Sequence, residues 1–487
     1  FGVVPPRAAC HCSIPCRLRC GQAAPVHPRP RASRAGARAA GRRRGGGASV
    51  RPITRRGSMG ASVGAPVQDS EAAAGPSDQA ALLHVASVAN CESWTTPAAV
   101  ARRLRSALNS AFDILGESPL APQQVLPFAL KAKSFIPELR KQNPNSLSEE
   151  VAKDGGVAPS ADVMVPVATY VHHAALVYEG DPDVIRQCLR QCGMELVGHS
   201  SIVGPGRVAH YIAFNPSEKV VVLALKGTSS MDDVVTDMVA DTEPLAGPGS
   251  QGPFAHSGFA SAARRVVDET CLVLQHAFVS HGYRLVVTGH SLGAGTACCV
   301  ARLLHDKGIP LQCFAYATPP CLDREAALQA VPYVTSVVHH DDIVPRASIA
   351  NLKIMGDIVR DFVQKQQQGE EDFGAAVQEA LAQKQDHVAG EIGSKHDMYV
   401  AGRVVFSFLQ AGKYEAAVKD GTLRNLRRIE LMPNCMSDHL CSGYSECTSA
   451  VANRLLGGEA RDFAPWKQSL LCPAAPEDEA ETETESD

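Results

Sequence analysis

The stretch Arg-Leu-Val-Val-Thr-Gly-His-Ser-Leu-Gly-Ala-Gly, residues 284–295, predicts a strand, a sharp turn and a helix in immediate succession. It opens with a β-branched run typical of a short buried strand and continues into an Ala-, Cys-, Val- and Leu-rich run, residues 294–304, typical of a helix. A G-x-S-x-G pattern alone also arises by chance, but the flanking strand and helix favour a nucleophile elbow. Gly289 and Gly293 let the strand and helix approach closely. The pattern therefore predicts that Ser291 is a nucleophile.

The total charge of the chain conceals a strong asymmetry. The 487 residues carry a formal net charge of −4. Residues 1–68 contain 13 arginines and no lysine, aspartate or glutamate, so the remaining residues carry −17, the difference between −4 and +13. The larger part of the chain is therefore acidic, and we expect no nucleic-acid partner for it.

The two ends of the chain are compositionally unlike its middle. Residues 1–78, rich in Arg, Ala, Gly and Pro, contain too little apolar material for a core. An Arg-rich, acid-free start resembles an organelle transit peptide, but untranslated sequence upstream of Met59 or a nucleic-acid-binding arm would look similar. The predicted location is correspondingly open: intracellular, in a chloroplast or in the cytosol, or peripheral to a membrane. Residues 461–487 form an acidic segment that we expect to be disordered.

Sixteen cysteines are present, but their placement does not predict a disulfide framework. Cys298 and Cys299 are adjacent in a predicted helix, and no secretory hydrophobic segment opens the chain, so most cysteines are expected to be small buried residues. The spacing of Cys10, Cys12, Cys16 and Cys20 matches no zinc pattern. No metal or cofactor is predicted. Nor does any apolar run reach the 18 residues that a membrane span requires.

Strand-like and helix-like stretches alternate through residues 161–460, which predicts a mostly parallel sheet covered on both faces. A helical region and linker, residues 79–160, precede this domain. Residues 347–397, rich in Gln, Lys and Glu, interrupt the alternation and are expected to form a regulatory insertion on the surface. His172 and His173 are expected on a helix surface. The predicted strands are 195–203, 209–215, 219–226, 285–288, 311–318, 333–339, 403–409 and 426–431, and the predicted helices are 163–177, 257–281, 294–304, 323–330 and 442–455.

A serine hydroxyl attacks a carbonyl only with a histidine base and a carboxylate that orients the base. After a nucleophile elbow, the expected chain order is serine, acid, histidine. The predicted strand that ends at residue 339 is followed by His-Asp-Asp-Ile-Val-Pro-Arg, which places carboxylates at a strand end. Asp342 is the predicted acid, with Asp341 as the alternative. His439, which follows the last predicted strand, is the predicted base, with His396 as the alternative.

The oxyanion formed by serine attack needs two preorganised hydrogen-bond donors. The backbone N–H of Leu292, directly after Ser291, is one candidate. Thr228, at the end of a predicted strand, is the other, and the loss of one such donor would cost about 3 kcal/mol of transition-state stabilisation. His256 and His290 lie inside structural motifs and are not predicted to act as bases.

Several short motifs occur in the order and at the kind of spacing seen in the class 3 (fungal-type) lipases. The chain especially resembles their diacylglycerol lipase-like branch, and the resemblance covers about residues 163–455. The motifs are Lys226-Gly227-Thr228, His256-Ser257-Gly258-Phe259, residues 289–295, Asp341-Asp342-Ile343-Val344-Pro345-Arg346, Met398-Tyr399-Val400-Ala401-Gly402-Arg403 and Asp438-His439.

The resemblance implies an α/β-hydrolase fold with a mostly parallel central sheet, an N-terminal helical layer and a helical insertion. Two departures stand out: Lys226 occupies a position where the family usually has arginine, and the transmembrane bundle of the animal diacylglycerol lipases has no counterpart. By resemblance, the site consists of Ser291 as nucleophile, Asp342 as acid, His439 as base, Thr228 and Leu292 as the oxyanion hole, residues 230–238 as a lid and residues 347–397 as a regulatory loop.

The activity implied by this resemblance is hydrolysis of glycerolipid acyl esters, as in diacylglycerol and triacylglycerol lipases, through an acyl-serine intermediate. The substrate would be reached at a membrane or lipid-droplet surface. A non-catalytic lipid-binding or scaffold protein of the same fold is the alternative, and it predicts an incomplete triad. The head group and the acyl position stay open, because thioesterases, phospholipases A1 and galactolipases use the same machinery.

Overall fold

The structure is a computed structural model that describes residues 96–142, 145–228, 239–369, 396–429, 431–458 and 461–463. These residues all belong to one compact unit, residues 72–487. The predicted N-terminal segment, the predicted lid, residues 370–395 of the predicted insertion and nearly all of the acidic tail lie outside the described residues.

Among the described elements, five helices and then five strands come first, and from Ser257 onward helices alternate with strands, as the sequence pattern predicts. The α-helices are α1 (Pro97–Leu115), α2 (Pro122–Gln142), α3 (Ser146–Lys153), α4 (Ala161–Leu176), α5 (Pro182–Gln191), α6 (Ser257–Val273), α7 (Leu292–Asp306), α8 (Arg324–Gln329), α9 (Ile349–Gln367) and α10 (Cys441–Leu455). The strands are β1 (Glu195–Ser200), β2 (His210–Asn215), β3 (Val220–Leu225), β4 (Thr242–Pro244), β5 (Phe254–His256), β6 (Arg284–His290), β7 (Leu311–Tyr316), β8 (Leu322–Asp323), β9 (Val334–His339), β10 (Met398–Tyr399), β11 (Arg403–Gln410) and β12 (Lys413–Asp420).

The central sheet has eight strands in the order β1-β2-β3-β6-β7-β9-β11-β12. Strands β3, β6, β7, β9 and β11 run parallel, whereas the β1–β2, β2–β3 and β11–β12 pairs are antiparallel. A parallel strand needs a crossover to reach its neighbour, and α7 supplies one between β6 and β7. The mostly parallel sheet confirms the predicted α/β class.

Alternate residues of the central strands face two different helical layers, because successive side chains of a strand point to opposite faces. In β3, Val221 and Leu223 pack with α6 and α7, whereas Val222 and Ala224 pack with α4, α5 and α10. All six residues of β3 are buried. The near-continuous apolar runs of the sequence are therefore strands covered on both faces. Among the described helices, none is both long and apolar enough to cross a membrane.

The helix α9 corrects the prediction of a surface insertion. It lies within the predicted insertion, yet Leu352, Ile358 and Phe362 are buried in the same core cluster as α1 and α2. Arg360 of α9 reaches back to the end of α1, where it donates to Glu117 at 2.8 Å. The first part of the insertion is thus a core helix that the N-terminal helices cover.

Two further predictions are wrong, and one strand was not predicted, because the pattern of a single sequence does not show which residues are buried by tertiary contacts. His172 and His173 are 3% and 4% exposed, since α4 is enclosed between the sheet and α10. The predicted strand at 426–431 is absent from the described residues there, which begin with a short 3-10 turn, Arg424–Arg427. The last strand of the sheet is instead Lys413–Asp420, which forms a hairpin with β11.

Replacing Gly356 by valine should destabilise the packing of α9 against α1. A Cβ at Gly356 would clash with the ring of Phe112, with Cε1 only 2.9 Å away, and that ring is fully buried. Overpacking of this kind costs about 1–3 kcal/mol. The free energy of unfolding from urea titration should fall by this amount. Gly198→Val is the matched control, because no atom lies within 4 Å of a Cβ at that strand position; an equal loss in both variants would contradict the packing account.

Candidate active site

The serine at residue 291 lies on a strained turn between β6 and α7. Its φ of 60° is a value that residues other than glycine rarely adopt, and such strain costs about 1–3 kcal/mol. Hydrogen bonds hold the turn: Ser291 N–H donates to the Tyr316 carbonyl at 2.9 Å, and Ala294 N–H donates to the Ser291 carbonyl at 2.9 Å. The sequence stretch that predicts an elbow thus forms one.

Two glycines allow this turn because backbone lies directly against each of them. A Cβ at Gly289 would be 2.5 Å from the Gly293 carbonyl oxygen. A Cβ at Gly293 would clash with the carbonyl oxygen of Leu225, and would lie 2.9 Å from the nitrogen of Gly227. The start of α7 therefore rests on the end of β3 without an intervening side chain.

Three side chains converge where the parallel strands end. His439 Nε2 lies 2.9 Å from Ser291 Oγ, and His439 Nδ1 lies 3.0 Å from both carboxylate oxygens of Asp342. All three residues are buried: Ser291 and His439 are each 1% exposed, and Asp342 is 0% exposed. A histidine that contacts a serine hydroxyl at one nitrogen and a carboxylate at the other has the geometry of a nucleophile, base and acid.

The carboxylate of Asp342 is held ionised by its surroundings. Burial acts to raise its pKa, but the charge interaction and hydrogen bond with His439 and hydrogen bonds from Tyr444 and Val344 hold the pKa below its ordinary value. Tyr444 OH donates to Asp342 Oδ2 at 2.6 Å, and Val344 N–H donates to Oδ1 at 2.9 Å. The carboxylate can therefore orient His439 and stabilise an imidazolium.

Replacement of Tyr444 by phenylalanine should weaken the ionised form of Asp342. A hydrogen bond to a charged group contributes about 1.5–3 kcal/mol. A carboxyl whose pKa is lowered on folding contributes stability at pH values above its unfolded-state pKa. This contribution is lost as the pH falls through the folded-state pKa. Thermal unfolding should show a stability deficit in Y444F at pH 7 that shrinks on acidification. Y283F is the control, because the Tyr283 ring packs against Phe214 and Phe278 rather than on Asp342. A pH-independent deficit in Y444F would contradict the account.

A second histidine, His290, fixes the backbone of the base. His290 Nε2 lies 2.7 Å from the carbonyl oxygen of His439, which can only accept, so Nε2 carries a proton. Burial lowers the pKa of His290 to about 3, so the ring is neutral and Nδ1 accepts from Tyr178 OH at 3.2 Å. Hydrogen bonds at both ring nitrogens thus hold His290 in place, and His290 in turn holds the backbone of His439.

The run Ile-Val-Pro-Arg after the acid ends in a buried arginine, Arg346, that holds the acid loop in place. This residue is 2% exposed, and its guanidinium donates to the carbonyl oxygens of Asp342 and of His340, the latter at 3.0 Å, and to Asn425 Oδ1 at 3.0 Å. A buried guanidinium needs several acceptors because its desolvation is costly. These contacts fix the loop that carries the acid.

The two predicted oxyanion donors lie on segments that meet beside Ser291. Leu292 is the first residue of α7, where backbone N–H groups have no partner within the helix. Thr228 directly follows Gly227, and a Cβ at Gly227 would be 3.3 Å from Ser291 Cβ. Lys226, at the position usually occupied by arginine, donates to the Tyr178 carbonyl at 3.3 Å. The lysine therefore braces this segment against the end of α4.

The alternative residues from the sequence lie elsewhere. His396 is buried rather than on the surface, and its Nδ1 is 3.5 Å from Asp241 Oδ1. Asp341 points away from the triad toward His340, with Oδ2 3.0 Å from Nδ1. Among the described residues, His340, Asp341 and Asp438 form the cluster whose ligand atoms are close enough to hold a metal ion.

Sequence reasoning missed Tyr444, Tyr178 and Arg346 as partners of the site. Tyr444 lies five residues after the base, on α10, and no local motif distinguishes it from a core tyrosine. Arg346 offered the better signal, because an arginine at the end of a buried apolar run must find acceptors.

Comparison with known proteins shows which families and proteins the chain resembles. Residues 222–352 match the profile of the family described as lipase (class 3). Human diacylglycerol lipase-alpha is 37% identical over 153 residues, covering 29% of this chain and 15% of that protein. Secreted mono- and diacylglycerol lipase A of Penicillium cyclopium is 33% identical over 153 residues, covering 30% of this chain and 48% of that protein.

Among solved structures, a variant of MDLA from Penicillium cyclopium is 27% identical, with a TM-score of 0.34 over 39% of this chain and 75% of that chain. The chain spans less than half the length of the relatives described above. Residues 222–352 are thus similar to class 3 lipases, and the chain is similar in sequence to diacylglycerol lipases over 29–30% of its length.

Proposed function

We propose that the chain is a serine hydrolase that cleaves acyl ester bonds of glycerolipids. The observation that carries the proposal is the buried relay from Ser291 Oγ through His439 to Asp342, with contacts of 2.9 and 3.0 Å. The similarity to diacylglycerol lipases supports glycerolipids as the substrate class. A scaffold protein would not need to keep the three side chains in hydrogen-bond contact inside the core.

The geometry supports a two-step acyl transfer. Ser291 Oγ attacks the ester carbonyl carbon while His439 Nε2 accepts the hydroxyl proton, and Asp342 stabilises the resulting imidazolium. The carbonyl oxygen becomes an oxyanion beside the Leu292 N–H and Thr228. The bond between the carbonyl carbon and the glycerol oxygen then breaks, and that oxygen takes the proton from His439, which leaves the acyl group on Ser291 Oγ. Water, activated by His439, attacks the acyl-serine and releases the fatty acid.

The proposal also includes the surface at which the enzyme binds its substrate. A diacylglycerol or triacylglycerol resides in a bilayer or a lipid droplet, so the enzyme would act at such a surface. The chloroplast or cytosolic location is likewise a proposal, based on the composition of residues 1–68.

Hydrolysis of a lipid panel tests the proposal. Emulsified diacylglycerol, triacylglycerol, phospholipid and galactolipid are supplied separately to wild-type protein, and released fatty acid is measured. We expect release from diacylglycerol by the wild type and none above background from S291A. A wild-type protein that is inactive on every ester of the panel would contradict the proposal, as would an S291A protein that is as active as the wild type.

A further inference from the structure

A second cluster of polar side chains lies directly beside the triad, on the same two loops. His340 and Asp341 immediately precede the acid, and Asp438 immediately precedes the base. His340 Nδ1 is 3.0 Å from Asp341 Oδ2 and 3.3 Å from Asp438 Oδ2. Residues nearly one hundred positions apart in the chain are thus joined by an imidazole between two carboxylates.

Further hydrogen bonds tie the same loops together. Asp341 N–H donates to Asp438 Oδ2 at 3.1 Å. The Asn434 amide donates to Asp438 Oδ2 and to Asp341 Oδ2, the latter at 3.3 Å. His340 has a φ of 44°, which keeps the backbone turned so that the ring faces Asp438. The contacts define a closed set, His340, Asp341, Asn434 and Asp438, that we name the loop clamp.

A protonated His340 places one positive charge between the two carboxylates of the loop clamp. Burial acts to lower the pKa of His340, but hydrogen bonds and charge interactions with Asp341 and Asp438 raise it to about 9. Burial lowers the pKa of the neighbouring His339, so that ring adds no competing charge. Four charged or titratable groups face His340. His339 comes from β9 and Asp341 from the same loop as His340, while Asp438 comes from the loop that carries His439. Arg346 donates to the His340 carbonyl oxygen.

We propose that the loop clamp positions Asp342 and His439 relative to each other, through a protonated His340 that bridges Asp341 and Asp438. The inference rests on the proposed function, because it concerns the reactivity of Ser291 through its base. The residues of the clamp are positioning residues: none of them contacts Ser291, His439 or Asp342 through its side chain in the hydrogen bonds of the described residues.

The sign of the pH dependence follows from the raised pKa of His340. The stability that the His340 bridge contributes is fully present below the pKa of histidine in the unfolded chain, near 6.5. It is lost as the pH rises through about 9, the folded-state pKa of His340. Above that pH, Asp341 and Asp438 face each other without a cation, and like charges at this distance repel. The loops should then separate, and a displacement of about 1 Å between catalytic groups can lower the rate about 100-fold.

The experiment measures the rate at which a fluorophosphonate probe labels Ser291 between pH 6 and pH 10.5. Full-length wild type is compared with H340Q, D438N and the double variant, and H276Q is the control, because His276 is exposed on the turn after α6. Far-ultraviolet circular dichroism and the melting temperature are recorded for each. The wild-type profile itself requires no variant, so a folding failure of H340Q leaves the test intact.

We expect a reversible fall in the wild-type labelling rate as pH rises through about 9. H340Q should label about 10- to 100-fold more slowly than wild type at pH 7.5. This ratio should narrow above pH 9.5, because both proteins then lack the cation. The double variant should be no slower than H340Q, since removal of one carboxylate removes the repulsion and contacting residues are not additive. H276Q should match wild type throughout.

The loop clamp would be overturned, and the proposed function left standing, by a wild type labelled at the same rate across pH 8 to 10.5 or by a folded H340Q with wild-type labelling at pH 7.5. Loss of labelling on treatment with EDTA and its recovery with Ca²⁺ would also overturn it, because a metal ion rather than His340 would then bridge the carboxylates. If the proposed function itself were wrong, the probe would not label wild-type Ser291 at any pH, which distinguishes this outcome from those above.

Discussion

Replacement of His439 by alanine is expected to lower kcat for an ester substrate by a factor on the order of 10⁴–10⁶. His439 is the group within hydrogen-bond distance of both Ser291 Oγ and Asp342. Without it, the hydroxyl keeps its proton and the leaving glycerol oxygen gains none. Steady-state hydrolysis of a short p-nitrophenyl ester measures the change, since this substrate does not depend on a lipid surface.

The remaining activity of this variant should come from the oxyanion donors and from substrate binding alone. A protein that carries both H439A and S291A should therefore be no slower than either single variant, because the two side chains act as a unit. H276A is the matched control, as it removes an exposed imidazole far along the chain. A loss of less than 10-fold in H439A would show that another residue is the base.

Replacement of Gly293 by valine is expected to abolish the folded state, with a loss of more than about 4 kcal/mol in the free energy of unfolding. The added Cβ would clash with the Leu225 carbonyl oxygen and would lie 2.8 Å from the Lys226 carbonyl carbon. Backbone atoms cannot rotate away as the end of a side chain can, so β3 and α7 must separate. Expression level, circular dichroism and urea unfolding measure the effect.

Gly295→Ala, two positions along the same helix, is the comparison that isolates backbone contact. A Cβ at Gly295 would lie 2.8 Å from Phe259 Cε2 and 2.9 Å from Pro319 Cγ, both side-chain atoms. The ring edge of Phe259 can shift by a few tenths of an ångström, so the loss should be about 1–3 kcal/mol. Equal stability of G293V and wild type would contradict the account of close strand-to-helix approach.

The elbow and the central strands could be predicted because their signals are local. Strand β6, the turn at Ser291 and the helix α7 each depend on residues adjacent in sequence, and the glycine spacing is dictated by backbone approach. The apolar run of β3 likewise reports burial on both faces. The sequence therefore predicted the α/β class and the segment that holds the nucleophile.

The remaining features depend on contacts between distant segments. Tyr444 approaches Asp342 across 102 positions, and His290 reaches the His439 carbonyl across 149. The polar composition of residues 347–397 concealed α9, whose apolar face is covered by α1 and α2. The wrong strand at 426–431 has the same origin, because its apolar residues Leu426, Ile429 and Leu431 are buried from a turn and loop rather than from a strand.

Labelling of the full chain with a fluorophosphonate probe tests the central claim most directly, that Ser291 is a nucleophile activated by His439 and Asp342. Intact-mass measurement gives the stoichiometry, and peptide mass spectrometry locates the adduct. The account predicts one adduct per chain, on Ser291, with labelling lost in S291A and slowed by several orders of magnitude in H439A. An unlabelled wild type, an adduct on another residue, or labelling of H439A at the wild-type rate would contradict it.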